Sequence, residues 1–260
     1  MEFKRLFLAW QDTKDRKWYP IGILTVNESG VYHFTYTEGA RLSNNFVPLD
    51  GMSRLDSVYE SVELFATFKN RLVSDSRPEY SRLLKWLDVG ENQHNPLSLL
   101  AMTEGIRATD TLELFECPTP NNKGEYEVKF FSHGLRHVAK RVIDRVNNLN
   151  QGERLYLARD MQNEFDPMAM ALRTIDPVEF VGYSPRYLSP DFLQLLEQNK
   201  PMDVLVRVER VNKDAPLNLR LLCKLVAPWP VDFRPCSDDK FKPLGDFSTR
   251  LEPASEHTRY

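Results

Sequence analysis

Cysteine is scarce in this chain, and the three present, Cys117, Cys223 and Cys236, lie far apart. An odd number without C-x-x-C spacing excludes a disulfide framework and a structural zinc site, and leaves reduced, packing thiols as the expectation. Long apolar runs are missing as well. None approaches the roughly 18 residues that cross a bilayer, so no membrane partner is expected. Met1 to Trp10 carries two early basic residues and only a short apolar run, which reads as a first strand rather than a signal peptide. The location these features imply is cytoplasmic. An excess of one charge is also absent: 34 basic residues face 37 acidic ones, for a formal charge of −3. A protein that coats duplex DNA by charge alone is strongly basic, so the global balance gives that class no support.

Catalytic signatures are lacking too. There is no glycine-rich phosphate loop, no H-x-D-x-x-x-x-N line and no D-F-G. Glu164 and Asp166 have no third carboxylate or lysine spaced to complete a two-metal centre or a glycosidase pair. No local signature joins any cysteine to one of the five histidines. A binding protein is therefore expected rather than an enzyme, with no cofactor. A nuclease with an unrecognised active site is a third and weaker reading.

What is present is ordinary globular material: 42% hydrophobic and 27% charged residues over 260 positions, enough for two modules. Charge is distributed unevenly. His133 to Arg159 holds six basic residues against two acidic, whereas residues 1–126 hold 14 basic against 18 acidic.

The first part alternates as strands and turns. Arg5–Trp10, Trp18–Val26 and Val31–Tyr36 are expected strands, with Tyr32, Phe34 and Tyr36 on one face. From Val58 the spacing of Tyr59, Val62, Leu64, Phe65, Phe68 and Leu72 suggests helical turns. Tyr80, Leu83, Leu84 and Leu87 suggest another helix, with Ser81 as a candidate cap, and Pro96 to Arg107 a third. Thr111–Cys117 reads as a strand, and Pro118 to Gly124 is the strongest turn or linker signal in the chain. Further strands are expected at 126–135, 154–159, 169–174, 179–183, 203–211 and 219–226, with a helix starting at Ser189-Pro190. Asp232 to Tyr260 has no period and reads as a tail, disordered or wrapped over a neighbour.

The most specific stretch runs from Leu157 to Leu172, a strand, a polar connection and a strand. Asp160, Asn163 and Asp166 are placed to fix the connection as Asx residues do, with Phe165 either presented from it or buried beneath it. Val181-Gly182-Tyr183-Ser184-Pro185-Arg186-Tyr187 follows, and Ser132-His133-Gly134-Leu135-Arg136-His137 precedes. These lines resemble the HIRAN domain, known from eukaryotic DNA-repair helicases and stand-alone bacterial proteins. The family's R-D-P-x-N-P-x-D-x-x-A-I line corresponds to Arg159 through Met170, with both prolines replaced, by Met161 and Glu164. Its V-G-x-(V/L)-(P/K) line corresponds to Val181 through Pro185.

The resemblance implies an oligonucleotide-binding-like barrel that holds the free 3′ end of single-stranded DNA. Arg136 and His137 would stand at its basic-aromatic site, with Arg159 in the motif line. Phe165 would stack on a base and Asp166 accept the terminal hydroxyl. Tyr183 and Arg186, with Tyr187 beside them, would contact base and phosphate. Aromatic stacking and arginine contacts suit a single strand of any sequence, and a carboxylate suits a sugar hydroxyl better than a phosphate.

Earlier in the chain, Tyr19–Leu24, Tyr32-x-Phe34-x-Tyr36 and Glu63–Leu72 resemble the amino-terminal subdomain of HipA-type toxin kinases. With the kinase missing, that likeness implies docking to a protein partner.

The expected fold is thus α+β and β-rich: two small modules, an N-terminal curled antiparallel sheet with helices and a C-terminal OB-like or SH3-like β-barrel. Residues 1–88 form the HipA-like domain, 89–125 a helical and strand connector, 126–228 the barrel, and 229–260 the tail. The expected role is a bacterial adaptor for single-stranded DNA or DNA ends, in repair or antiphage defence. The alternative is a protein-interaction regulator of a HipA-type toxin–antitoxin system that binds no nucleic acid.

Overall fold

The computed structural model describes residues 5–90 and 95–245, together with the backbone of Glu252 and Pro253. Contacts divide the described chain into two β-rich compact units, one from residues 5–80, 95–117 and 236–245, the other from 81–90 and 118–235.

The first unit is a sheet of β1 (Arg5–Gln11), β2 (Trp18–Val26), β3 (Tyr32–Tyr36), β4 (Val58–Ser61) and β5 (Leu112–Glu116), with helix α1 (Ala66–Lys69). The strands lie in the order β4-β3-β2-β1-β5, all antiparallel, and Glu252–Pro253 pairs parallel to β4 at the edge. The near-continuous apolar run of β1 follows from burial on both faces. Leu6 and Leu8 point into a core with Ile21, Leu24, Phe34 and Phe68. Phe7, on the opposite face, stacks on Phe115 at 5.7 Å and meets Phe241 edge-on at 5.0 Å.

The helical reading from Tyr59 is corrected at its start. Tyr59 sits on β4 opposite Phe34 and is buried, while Val62 is 82% exposed. Cross-strand pairing overrides an apolar spacing that mimics a helix, and only Ala66–Lys69 is helical. Helix α2 (Glu79–Leu87) contains Ser81 rather than being capped by it. Helix α3 (Pro96–Thr103) is capped by Asn95, whose Oδ1 accepts the Ser98 N–H at 2.9 Å. It stops short of Arg107 because Glu104 and Gly105 turn to positive φ.

The second unit contains β6 (Glu125–Phe131), α4 (Lys140–Asn147), β7 (Arg154–Arg159), β8 (Met170–Arg173) and β9 (Phe180–Tyr183). After these come α5 (Ser189–Gln198), β10 (Leu205–Val211) and β11 (Leu221–Pro228). Strand order is β6-β11-β10-β7-β8-β9, and a bridge between His133 and Tyr183 joins the chain just past β6 to β9. The sheet thereby closes on itself around Phe130, Leu155, Leu172, Val181, Phe192, Val206, Leu221, Cys223 and Leu225. Helix α4 was not anticipated from the sequence. Val142 and Val146 enter the core while Lys140 and Asp144 pair outside at 2.8 Å.

The stretch read as a connector, 89–125, is divided between the two units. Residues 81–90 join the second because Asp88 accepts from Lys129 at 2.9 Å and pairs with Arg210, and Asn212 donates to the Trp86 carbonyl at 3.0 Å. The stretch read as a tail is built in as far as residue 245. Trp229 and Phe233 pack with Tyr126 at 5.9 and 5.8 Å, and Leu244 N–H donates to the Tyr36 carbonyl at 2.8 Å. Residues 246–251 and 254–260 of that stretch lie outside the described residues.

Candidate nucleic-acid interface

Closure of the barrel brings the turn that carries Arg136 and His137 beside Tyr183 along one seam. The bridge is reciprocal: His133 N–H donates to the Tyr183 carbonyl at 2.9 Å, and Tyr183 N–H to the His133 carbonyl at 3.0 Å. Two glycines permit it. Gly182 has φ +105°, and a Cβ there would lie 2.0 Å from Ser132 Oγ and 2.5 Å from the His133 carbonyl oxygen. Gly134 has φ +80° and faces the Tyr183 ring, so the backbone turns at once into the 3-10 turn Leu135–His137. Arg136 and His137 stand exposed on that turn, and Arg136 Nε donates to His137 Nε2 at 2.8 Å.

The connection between β7 and β8 is fixed by its own polar side chains. Asn163 Oδ1 accepts the N–H groups of Phe165 and Asp166, both at 3.0 Å, and Asp166 Oδ1 accepts that of Met168 at 2.9 Å. Arg159 closes the base of the loop by donating to the Pro167 carbonyl at 3.3 Å. The connection is thus held by an Asx network. Phe165 is not a plug for the barrel: it is 60% exposed, and Met161 on the same loop is 79% exposed.

The seam and the loop meet through two polar links. Tyr183 hydroxyl donates to Asp160 Oδ2 at 2.7 Å. Burial, then the Asp160 carboxylate, holds the phenol above its ordinary range, and the phenol hydrogen bond holds Asp160 below the usual carboxylate range. Arg186, on the turn after β9, reaches the loop twice. Its Nε lies 3.3 Å from Asp166 Oδ2, and its guanidinium donates to the Phe165 carbonyl at 2.9 Å. Tyr187 lies half-buried against the barrel core.

The loop therefore carries an exposed aromatic residue, a carboxylate beside it and an arginine bonded to that carboxylate and to the Phe165 carbonyl, while the basic turn follows the His133–Tyr183 bridge. Asp160 and Gly182 are essential to this geometry, yet the sequence reading gave neither a role in holding Tyr183. Their signals are the Asp after the Arg of the first motif and the Gly of the second. Among the described residues no cluster of three or more His, Cys, Asp or Glu is placed to hold a metal, and no helix is long and apolar enough to cross a membrane.

Residues 126–230 match the HIRAN domain family, which covers less than half of the chain. No curated protein matches. Two solved structures are similar. A Lactobacillus plantarum protein solved by structural genomics shares 18% identity over 40% of this chain and 99% of its own, with a TM-score of 0.29. The HIRAN domain of human HLTF shares 14% identity over 41% of this chain and 80% of its own, with a TM-score of 0.30.

Proposed function

We propose that the second unit holds the free 3′ end of single-stranded DNA against the seam and loop just described. The observation that carries this reading is the exposed Phe165 ring next to Asp166, whose carboxylate is held by Arg186. A phenylalanine 60% exposed on a loop offers a face to a base. A carboxylate already oriented by Arg186 and the Met168 N–H retains acceptor capacity for a sugar hydroxyl but repels a phosphate. Arg186, Arg136 and Arg159 supply cations to the phosphates that follow. The match to the HIRAN domain supports the same reading. The first unit acts as the docking module for a protein partner, on the resemblance of its strand and helix lines, in an adaptor for DNA repair or defence.

The test is fluorescence anisotropy of the full chain with a short strand ending in a 3′ hydroxyl, beside the same strand ending in a 3′ phosphate. The hydroxyl end is expected to bind more tightly, and Asp166→Asn to erase the difference. Phe165→Ala is expected to weaken binding by about 5- to 150-fold, the equivalent of one base stack of ~1–3 kcal/mol, with the melting temperature unchanged. Equal binding to both ends would mean a general strand groove. No binding to either at low salt would sink the proposal.

A further inference from the structure

Outside the seam, the outward face of the barrel sheet carries an arrangement that folding alone does not favour. Arg154 on β7 lies directly opposite Arg207 on β10, and Tyr156 on β7 directly opposite Arg173 on β8. The Arg154 and Arg173 guanidiniums both lie over the Tyr156 ring, at 4.9 and 5.2 Å from its centroid. Three arginines thus occupy three adjacent strands, two of them over one tyrosine.

Like charges opposite one another on neighbouring strands are destabilising unless a counter-charge relieves them. None does so here. The nearby acids are spent elsewhere: Glu153 on Arg145 at 2.6 Å, Glu179 on Arg141 at 3.9 Å and Glu209 on Lys129 at 2.7 Å. Among the described residues Arg154, Arg173 and Arg207 form no ion pair. Arg207 donates to the Gly152 carbonyl at 3.0 Å, and Arg173 reaches the Thr174 carbonyl at 3.5 Å. Arg154 Nε is buried without a hydrogen-bond partner. The Tyr156 ring offsets part of the repulsion through cation–π contact but carries no charge.

The cluster is also continuous with the seam. Arg173 pairs with Phe180 on β9, and the Phe180 ring meets Tyr183 at 4.8 Å. Tyr183 is the residue bound to Asp160. A strand whose last nucleotide sits at Phe165 and Asp166 has this row of rings and guanidiniums as a path away from its end.

We propose that Arg154 and Arg173, set over Tyr156, together with Arg207 opposite Arg154, bind the phosphodiester backbone of the strand upstream of its terminal nucleotide. This rests on the end-binding reading and adds to it: the loop selects the end, while the sheet face supplies length-dependent, sequence-independent affinity. The occupant is polyanionic because three uncompensated cations in a row need an anion of matching extent. It is a single strand because the row leads to the terminal-nucleotide site.

The test compares the full chain with Arg154→Ala/Arg173→Ala, using a trinucleotide and a dodecamer that both end in a 3′ hydroxyl. The native chain is expected to bind the dodecamer about tenfold or more tightly than the trinucleotide, with a steeper salt dependence. The double variant should lose that gain, and its log–log salt slope on the dodecamer should fall by about 0.7 for each phosphate contact removed. It should retain its preference for a 3′ hydroxyl over a 3′ phosphate. Arg154→Lys/Arg173→Lys should keep most of the slope, which separates charge from packing against Tyr156. A double variant with native affinity and slope on the dodecamer overturns the proposal and leaves the arginines as a packing device. Binding of a polyglutamate peptide, with no gain from strand length, also overturns it, in favour of an acidic protein partner. A native chain that ignores the chemistry of the 3′ end but keeps its length and salt dependence defeats the end-binding reading alone.

Discussion

Replacing Gly182 with alanine is expected to destabilise the second unit by about 3–5 kcal/mol and to abolish strand binding, a larger effect than any single contact residue gives. Two costs combine. A non-glycine residue at φ +105° leaves its allowed region, at about 1–3 kcal/mol. The added methyl must also occupy space 2.0 Å from Ser132 Oγ and 2.5 Å from the His133 carbonyl oxygen. Neither neighbour is free to retreat. Ser132 Oγ donates to the Val181 carbonyl at 2.6 Å, and the His133 carbonyl accepts the Tyr183 N–H at 3.0 Å. Relief has to come from opening the seam, which withdraws Tyr183 from Asp160.

Gly152→Ala provides the control. Gly152 has φ +82°, but a methyl added there would meet nothing within 4 Å, so its cost is the backbone conformation alone, about 1 kcal/mol. Urea unfolding of both variants separates collision from strain, and anisotropy with a 3′-hydroxyl strand reads the seam. If the two variants are equally stable and both bind, the closed seam does not organise the site.

Much of this arrangement was legible in the sequence where the signal is local. Arg154–Arg159 follows a turn and is β7; Ser189-Pro190 starts α5; and the Asx spacing of Asp160, Asn163 and Asp166 foretells a loop held by its own side chains. What escaped depends on contacts distant in sequence. Tyr59 looks helical by its neighbours and is a strand residue because Phe34 lies across from it. Trp229 and Phe233 look like stray aromatics in a polar tail until Tyr126 is beside them. Helix α4 was hidden by its own charge, since Lys140, Arg141, Asp144 and Arg145 dominate a segment whose buried residues are Val142 and Val146. The candidate site followed the same division. Its members were named from three separate lines, but joining the first to the last needs the His133–Tyr183 bridge, a pairing of residues 50 positions apart that no periodicity announces.

The second large effect concerns a carboxyl that the binding reading does not use. Asp191, in the first turn of α5, is 8% exposed and accepts a hydrogen bond from the Tyr126 hydroxyl at 3.1 Å. Burial pushes its pKa up to about 7, against the smaller opposing effect of that hydrogen bond. The folded chain therefore holds a proton across the interval from about pH 4 to 7 in which the unfolded chain has released it. Stability falls as pH rises through that interval and the loss is complete above it. At ~1.4 kcal/mol per pH unit the gap between 3.8 and about 7 sets an upper bound of about 4 kcal/mol. Asp191→Asn keeps the acceptor for Tyr126 and removes the charge. It is expected to stabilise the protein by about 2–4 kcal/mol at pH 8 and to leave it nearly unchanged at pH 4. Urea unfolding at the two pH values reads the difference directly. A variant that is less stable than the native chain at pH 8 would show that the fold favours the ionised carboxylate instead of raising its pKa, with the Tyr126 hydroxyl and the α5 N-terminus outweighing burial.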